Sequence, residues 1–205
     1  MFHIADFQRL MAAPGESPSD TAANPSRDWL SLRALVEAAH ARLAHDLIGR
    51  IHLQPPSFFE RLVIDVLVAM GYGGGRAAMT RCLGRSWDGG VDGMILLDEL
   101  GFNSIFIQAK RLKPGVAVPI SAVRDFAGSL ESCRASKGVL VTTTHFSSSA
   151  RAFCASISRH VVLIDGAQFS RLMIRHNIGV TVLGSLVLKE IDSDYFKPTS
   201  GGCAR

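Results

Sequence analysis

The chain has 205 residues, enough for one domain of ordinary size with additional helix, and 47% of them are hydrophobic against 20% charged, which excludes a disordered or fibrous protein. A formal charge of +4 favours an anionic partner without by itself establishing nucleic-acid binding. Cys82, Cys133, Cys154 and Cys203 are scattered, with no CxxC pair and no histidine at zinc-finger spacing, so sulfur ligation of a metal is disfavoured and reduced thiols are expected.

No basic region followed by an apolar core opens the chain. The longest apolar runs, Leu62 to Met70 and Val161 to Ile164, are too short or too interrupted to span a bilayer. The expectation is a soluble, cytoplasmic protein.

In chain order, Met1 to Ala12 has the pattern of a short helix, and Ala13 to Asp20 that of a polar Pro/Ser-rich linker; residues 1–27 are expected to be a mobile lead segment. A lead-in helix over 28–54 carries Leu32, Val36, Ala39, Leu43, Leu47 and Ile51 as one apolar stripe, which suits either a core face or a dimer seam. Pro55-Pro56 ends it. Ser57 restarts a helix with Phe58, Leu62, Val66 and Met70 inward, and Gly71 to Gly75 stops it.

Three strands are expected at about 76–83, 91–97 and 104–110, then a helix of about 119–135 with Ile120, Val123, Phe126, Ala127 and Leu130 facing in. Val139 to Thr142 is a short buried strand, Ser147 caps a helix to about Ile157, and Val161 to Ile164 is another buried strand. Gln168 to His176 is helical and Gly179 to Leu188 a further strand; the tail after Tyr195, and 197–205 in particular, is expected to be disordered. That order gives an α/β fold: a mixed sheet between helices, its first three strands an antiparallel meander.

Most chemistry lies between Gly84 and Lys110. A hairpin turn near Leu100-Gly101 sets Asp92 opposite Gln108-Ala109-Lys110, about 5 Å away between Cα atoms. Alternation along the strand turns Gln108 and Lys110 to the same side. An acid, an amide oxygen and a lysine at one strand end can hold a divalent cation and polarise a phosphate, which is the pattern of a nuclease site. Each residue has a plainer reading as well. Asp92 suits a loop-end acid, Gln108 a hydrogen-bonded strand residue, and Lys110 one of a basic run with Arg111 and Lys113. Ser57-Phe58-Phe59-Glu60 is also a capping box, so Glu60 is either a helix cap or a metal-proximal carboxylate.

Asp88 with Gly84, Gly89, Gly90 and Gly93 suits close phosphate approach or a tight turn. Thr142, Thr143, His145 and Ser147 lie where a strand runs into a helix N-terminus, a natural anion site, although Ser147 equally suits plain capping. Arg111, Lys113, Arg124, Arg134 and Lys137 are candidates for tracking phosphates or for solvated surface.

Taken together, Phe59-Glu60, Met70-Gly71-Tyr72, Asp88 to Gly93, Gln108 to Arg111, Val141 to Thr143, Phe146-Ser147 with Ala150, Leu163 to Gly166 and Leu188 to Phe196 resemble the catalytic domain of Mrr-type restriction endonucleases. The matches run in order from about Asp20 to Phe196. The resemblance implies a restriction-endonuclease-like PD-(D/E)XK core over 55–196, in the branch where Gln replaces the second acid.

It further implies Asp92, Gln108 and Glu60 as metal ligands for Mg²⁺ (Mn²⁺ substituting), and Lys110 as the transition-state stabiliser. Arg111, Lys113, Thr143, Ser147 and Arg124, read from the residues themselves, are the candidate DNA contacts. The implied activity is a DNA endonuclease of prokaryotic defence against modified DNA; cutting both strands needs two active sites, so a homodimer or larger assembly is the mechanical expectation. Trp87 departs from the family's small residue there, and residues 1–27 are too short for the family's winged-helix DNA reader, which leaves that domain absent from this chain. A structure-specific repair nuclease of the same fold, and a catalytically weak DNA-binding effector module, are the alternatives.

Overall fold

A computed structural model describes residues 25–73, 80–82, 90–187, 189, 191–192 and 195–197. The expected helix in Met1 to Ala12, the linker, Gly84, Trp87, Asp88, Gly89 and the end of the tail lie outside the described residues. Two compact units are distinguished. One comprises Met1–Leu35 with Val187–Arg205; the other, Val36–Leu186, contains the sheet.

Helix α1 runs over Pro25–His52 and α2 over Pro56–Ala69. Strand β1 (Thr80–Cys82), β2 (Gly93–Leu96) and β3 (Ser104–Lys110) follow, then the short β4 (Ala117–Val118) and helix α3 (Ile120–Ser132). Next come β5 (Lys137–Thr142), the short β6 (His145–Phe146), α4 (Ser148–Ser156), β7 (His160–Ile164) and α5 (Gly166–Arg175). The main sheet has the order β1-β2-β3-β5-β7. Its first three strands are antiparallel, and β5 and β7 add in parallel. This is the mixed sheet with an antiparallel meander that the sequence predicts.

Two apolar clusters sandwich the sheet. On one face Leu47 and Ile51 of α1, Phe59, Leu62, Val63 and Val66 of α2, and Phe169 and Met173 of α5 cover Ile95, Ile105, Ile107, Val139 and Val141. On the other, Val123, Phe126 and Leu130 of α3 and Ala150 of α4 cover Phe106 and Leu140. Strand alternation sends neighbouring residues to opposite layers. Gly138 sits under α3 because a Cβ there would come within 2.7 Å of Leu130 and 2.8 Å of Phe126.

Several expectations are corrected. Helix α2 starts on Pro55-Pro56, with Pro55 as N-cap and no side-chain cap bond. Ser57 thus lies inside the first turn and Phe58 stands at N3, so the expected Ser57–Glu60 capping box does not form. The buried phenylalanine of its first turns is Phe59, at 1% exposure, while Phe58 is half-buried. Of the α1 stripe only Leu47 and Ile51 are buried; Val36 and Leu43 are exposed, because only the last turns meet the apolar layer. Strand β7 is half-exposed rather than buried, as the edge strand of the sheet. Residues 179–187 make no strand. The parallel pair β4–β6 was not expected, since two-residue strands leave no periodic signal. Among the described residues no helix is long and apolar enough to cross a membrane.

Candidate active site

The β2–β3 register pairs Gly93 with Ile107, so Asp92 falls opposite Gln108 at the end of the hairpin away from its turn. The Asp92 N–H continues the ladder, donating to the Ile107 carbonyl at 2.8 Å. Its carboxylate accepts from the Ala109 N–H at 2.7 Å, which fixes Oδ2 against the catalytic-candidate strand. Asp92 is half-buried, and its carboxyl is pushed up to about 6. Burial is the largest cause; the Ala109 hydrogen bond opposes it, the negative charge of Glu60 adds to it, and the Lys110 ammonium works the other way.

Gln108 is 5% exposed. Its Nε2 donates to the Gly90 carbonyl, which settles the amide orientation and leaves Oε1 buried with no partner among the described residues. Gly90 has φ +71°, and a Cβ on it would lie 2.6 Å from Gln108 Nε2. Only glycine lets the loop backbone approach this closely and in this conformation. Lys110, half-buried, ends β3, and its carbonyl accepts from Thr142 Oγ1 at 2.8 Å, so the strand end is anchored to β5. Glu60 reaches the same region from α2, near enough to act on Asp92.

A divalent cation fits this set. A buried carboxylate held near a second carboxylate is costly when charged, and an unpartnered buried carbonyl oxygen forgoes a hydrogen bond. Bringing a hard cation to Asp92, Glu60 and Gln108 Oε1 relieves both deficits with oxygen ligands. Among the described residues no group of three or more His, Cys, Asp or Glu side chains is placed to hold a metal.

The remaining predicted residues are distributed otherwise. Arg111 turns to the α1 side, where Nη1 donates to the His52 carbonyl at 2.9 Å while Nε is buried and unpartnered. His52 is held below the usual histidine range, first by burial and then by the Arg111 charge. Thr143 is buried, its hydroxyl bonded to both the N–H and the carbonyl of Leu112 at 3.2 Å. Ser147 caps α4, accepting from the Ala150 N–H at 3.2 Å. Lys113, Arg124 and His145 are exposed; Arg124 lies 5.3 Å over the Phe153 ring.

The sequence carries no sign of the Arg111–His52 link, which joins residues 59 apart. Nor did it indicate a groove of about 950 Å³ between α1 and α5, lined by His40, His45, Ile48, Arg171 and Ile174 among others. That groove includes none of Asp92, Gln108, Lys110 or Glu60, so its size does not locate the chemistry.

The restriction endonuclease family Mrr_cat matches residues 52–173. The chain is 40% identical over 167 residues to the Type IV methyl-directed restriction enzyme EcoKMrr of Escherichia coli (strain K12), covering 80% of this chain and 52% of that enzyme. It thus spans about half the length of this relative. Two solved structures are also similar. The MspJI restriction endonuclease in complex with a 27-mer oligonucleotide is 23% identical, over 82% of this chain and 36% of that one, with a TM-score of 0.41. The DNA modification-dependent restriction endonuclease AspBHI is 21% identical, over 87% and 45%, with a TM-score of 0.46.

Proposed function

The chain belongs to the Mrr_cat family of restriction endonucleases, and on that premise we propose that it is a metal-dependent endodeoxyribonuclease that hydrolyses phosphodiester bonds in modified, methylated DNA as part of prokaryotic defence. The 40% identical methyl-directed relative supports the choice of substrate. One observation supports the chemistry above the rest. Asp92, its carboxylate fixed by the Ala109 N–H, lies opposite a Gln108 whose Oε1 is buried and unpartnered, on the strand that ends in Lys110.

Asp92, Gln108 Oε1 and Glu60 are the residues that would hold Mg²⁺, with Mn²⁺ substituting. When bound, the ion supplies a water acidic enough to attack and a charge to polarise the phosphate. The protein's own part is positional and electrostatic. The Ala109 N–H holds Asp92 in one orientation, and the Gly90 carbonyl holds Gln108 with its oxygen inward. The Lys110 ammonium faces the charge that builds on the phosphate oxygens, and the Thr142 hydroxyl keeps its strand end from drifting.

We assign catalysis to residues 55–196 with a helical lead-in over 28–54, and target reading to a separate domain. Lys113 and Arg124 are the exposed cations suited to DNA phosphates, in the cytoplasm where that substrate lies. A homodimer supplies the two sites that cutting both strands requires. The test is cleavage of methylated against unmethylated plasmid in Mg²⁺ or Mn²⁺. Metal-dependent cutting that favours the methylated plasmid is expected. Equal cutting of both contradicts the substrate assignment, and binding without cutting contradicts the nuclease reading.

A further inference from the structure

Strand β3 ends on Lys110, and the chain leaves the sheet at the next residue. Two sets of bonds hold it there. The Lys110 carbonyl accepts from the Thr142 hydroxyl at 2.8 Å and, at 3.4 Å, from the Thr143 N–H. The Arg111 side chain donates from Nη1 to the His52 carbonyl at 2.9 Å. His52 is the last residue of α1, and Pro56, four residues on, has no N–H with which to continue the helix. Its carbonyl is therefore left for an outside donor, at the negative end of a 28-residue helix where a guanidinium is favoured. The last turns of that helix are a fixed anchor, with Leu47 and Ile51 buried in the core.

As a source of stability this link is inefficient. Arg111 Nε and His52 Nε2 are both buried and unpartnered among the described residues, and each such nitrogen costs about as much as one charged hydrogen bond contributes. What the link supplies is position. Successive strand residues face opposite layers: Ala109 packs on the α1–α2–α5 layer, Lys110 faces the other way, and Arg111 reaches back to α1. A tether on Arg111 fixes the roll of the peptide that aims the Lys110 side chain. We infer that Arg111 is a positioning residue for Lys110. Anchored on the end of α1, it holds the Lys110 ammonium in its working direction and touches no substrate itself. Its effect on rate rests on the nuclease reading; its effect on the Lys110 side chain rests on the fold alone.

The experiment is a double-mutant cycle in single-turnover cleavage of supercoiled plasmid with Mg²⁺. It uses wild type, Arg111→Met, Lys110→Ala and the double variant, at a temperature where thermal melts show each to be folded. Arg111→Met keeps an apolar stem and removes the donors. Arg111→Gln, which removes the charge and shortens the reach, is carried in parallel so that the cycle does not depend on one variant folding. The Arg111 variants should be slower than wild type by about 10- to 100-fold at saturating DNA, with the DNA dissociation constant within about twofold. In the Lys110→Ala background the same change should cost no further rate, because the group it positions is gone. A second readout needs no cleavage: with lysines labelled by isotopic reductive methylation, the magnetic-resonance signal that Lys110→Ala removes should shift or broaden in the Arg111 variants. The signal of Lys137, at the start of β5, should stay where it is. Equal losses in both backgrounds, an unchanged rate, or an unmoved Lys110 signal would each overturn the inference. If the Lys110 signal moves and no protein cuts DNA, wild type included, the positioning stands and the nuclease reading fails.

Discussion

On the proposed reading, Asp92 serves metal binding at the expense of the metal-free fold. In the metal-free protein it protonates at about 6, against an ordinary value near 3.8 once unfolded. Its folded pKa is raised, so this carboxylate makes the metal-free fold less stable as pH climbs from about 4 to about 6, with no further change above. Asp92→Asn should remove that slope. Above pH 6 it should stabilise the metal-free protein by about 1 kcal/mol, a figure discounted for solvent around a partly open group, or roughly 2–4 °C in Tm. Mg²⁺ should raise the Tm of wild type at pH 8 and leave that of Asp92→Asn unmoved. Because protons compete with the ion, the metal concentration needed should rise about tenfold per pH unit below 6. A thermal-shift titration across pH checks all four statements.

Gly90 offers a second test at the same scale. Gly90→Ala places a Cβ at φ +71° and 2.6 Å from the Gln108 amide, which must swing away and carry Oε1 with it. The expected outcome is a cost of about 1–2 kcal/mol from the backbone, together with weakened Mg²⁺ binding. Unchanged metal affinity in a calorimetric titration would remove Gln108 from the ligand set.

At the scale of elements, what was legible depended on whether the signal was local. The hairpin that sets Asp92 against Gln108 was readable because alternation and turn position fix register within 20 residues. The start of α2 was misread because Ser57 and Glu60 mimic a capping box, whereas Pro55 and Pro56, with fixed φ and no N–H, open the helix two residues earlier. Strand pattern in 179–187 was readable, but its want of a partner was not, since pairing is a tertiary fact. Arg111 shows the same limit: its role depends on the end of α1, far off in sequence.

Arg111→Ala should therefore lower stability, by about 1–3 kcal/mol for a lost charged hydrogen bond in a buried setting, and a denaturant melt checks it. Gly166→Ala, whose Cβ would lie 2.3 Å from the Thr143 carbonyl oxygen, should cost at least about 2 kcal/mol, because backbone must move between β5 and α5.

For the molecule as a whole, family membership and the geometry of one strand end both support the proposed phosphodiester hydrolysis, while affinity for DNA is expected to come from exposed cations. Lys113→Ala and Arg124→Ala should each flatten the dependence of log Kd on log salt by about 1 if each meets a phosphate. Measured beside them, Arg111→Ala should leave that slope as it is, since its guanidinium is turned to the His52 carbonyl. The most direct measurement is cleavage of supercoiled plasmid with and without Mg²⁺ by wild type, Asp92→Asn and Lys110→Ala, each shown to be folded by its thermal melt. Wild type should cut only with metal, Asp92→Asn should not cut, and Lys110→Ala should be slower by about 10²–10³ while still binding DNA. Cutting by either variant at the wild-type rate would contradict the site.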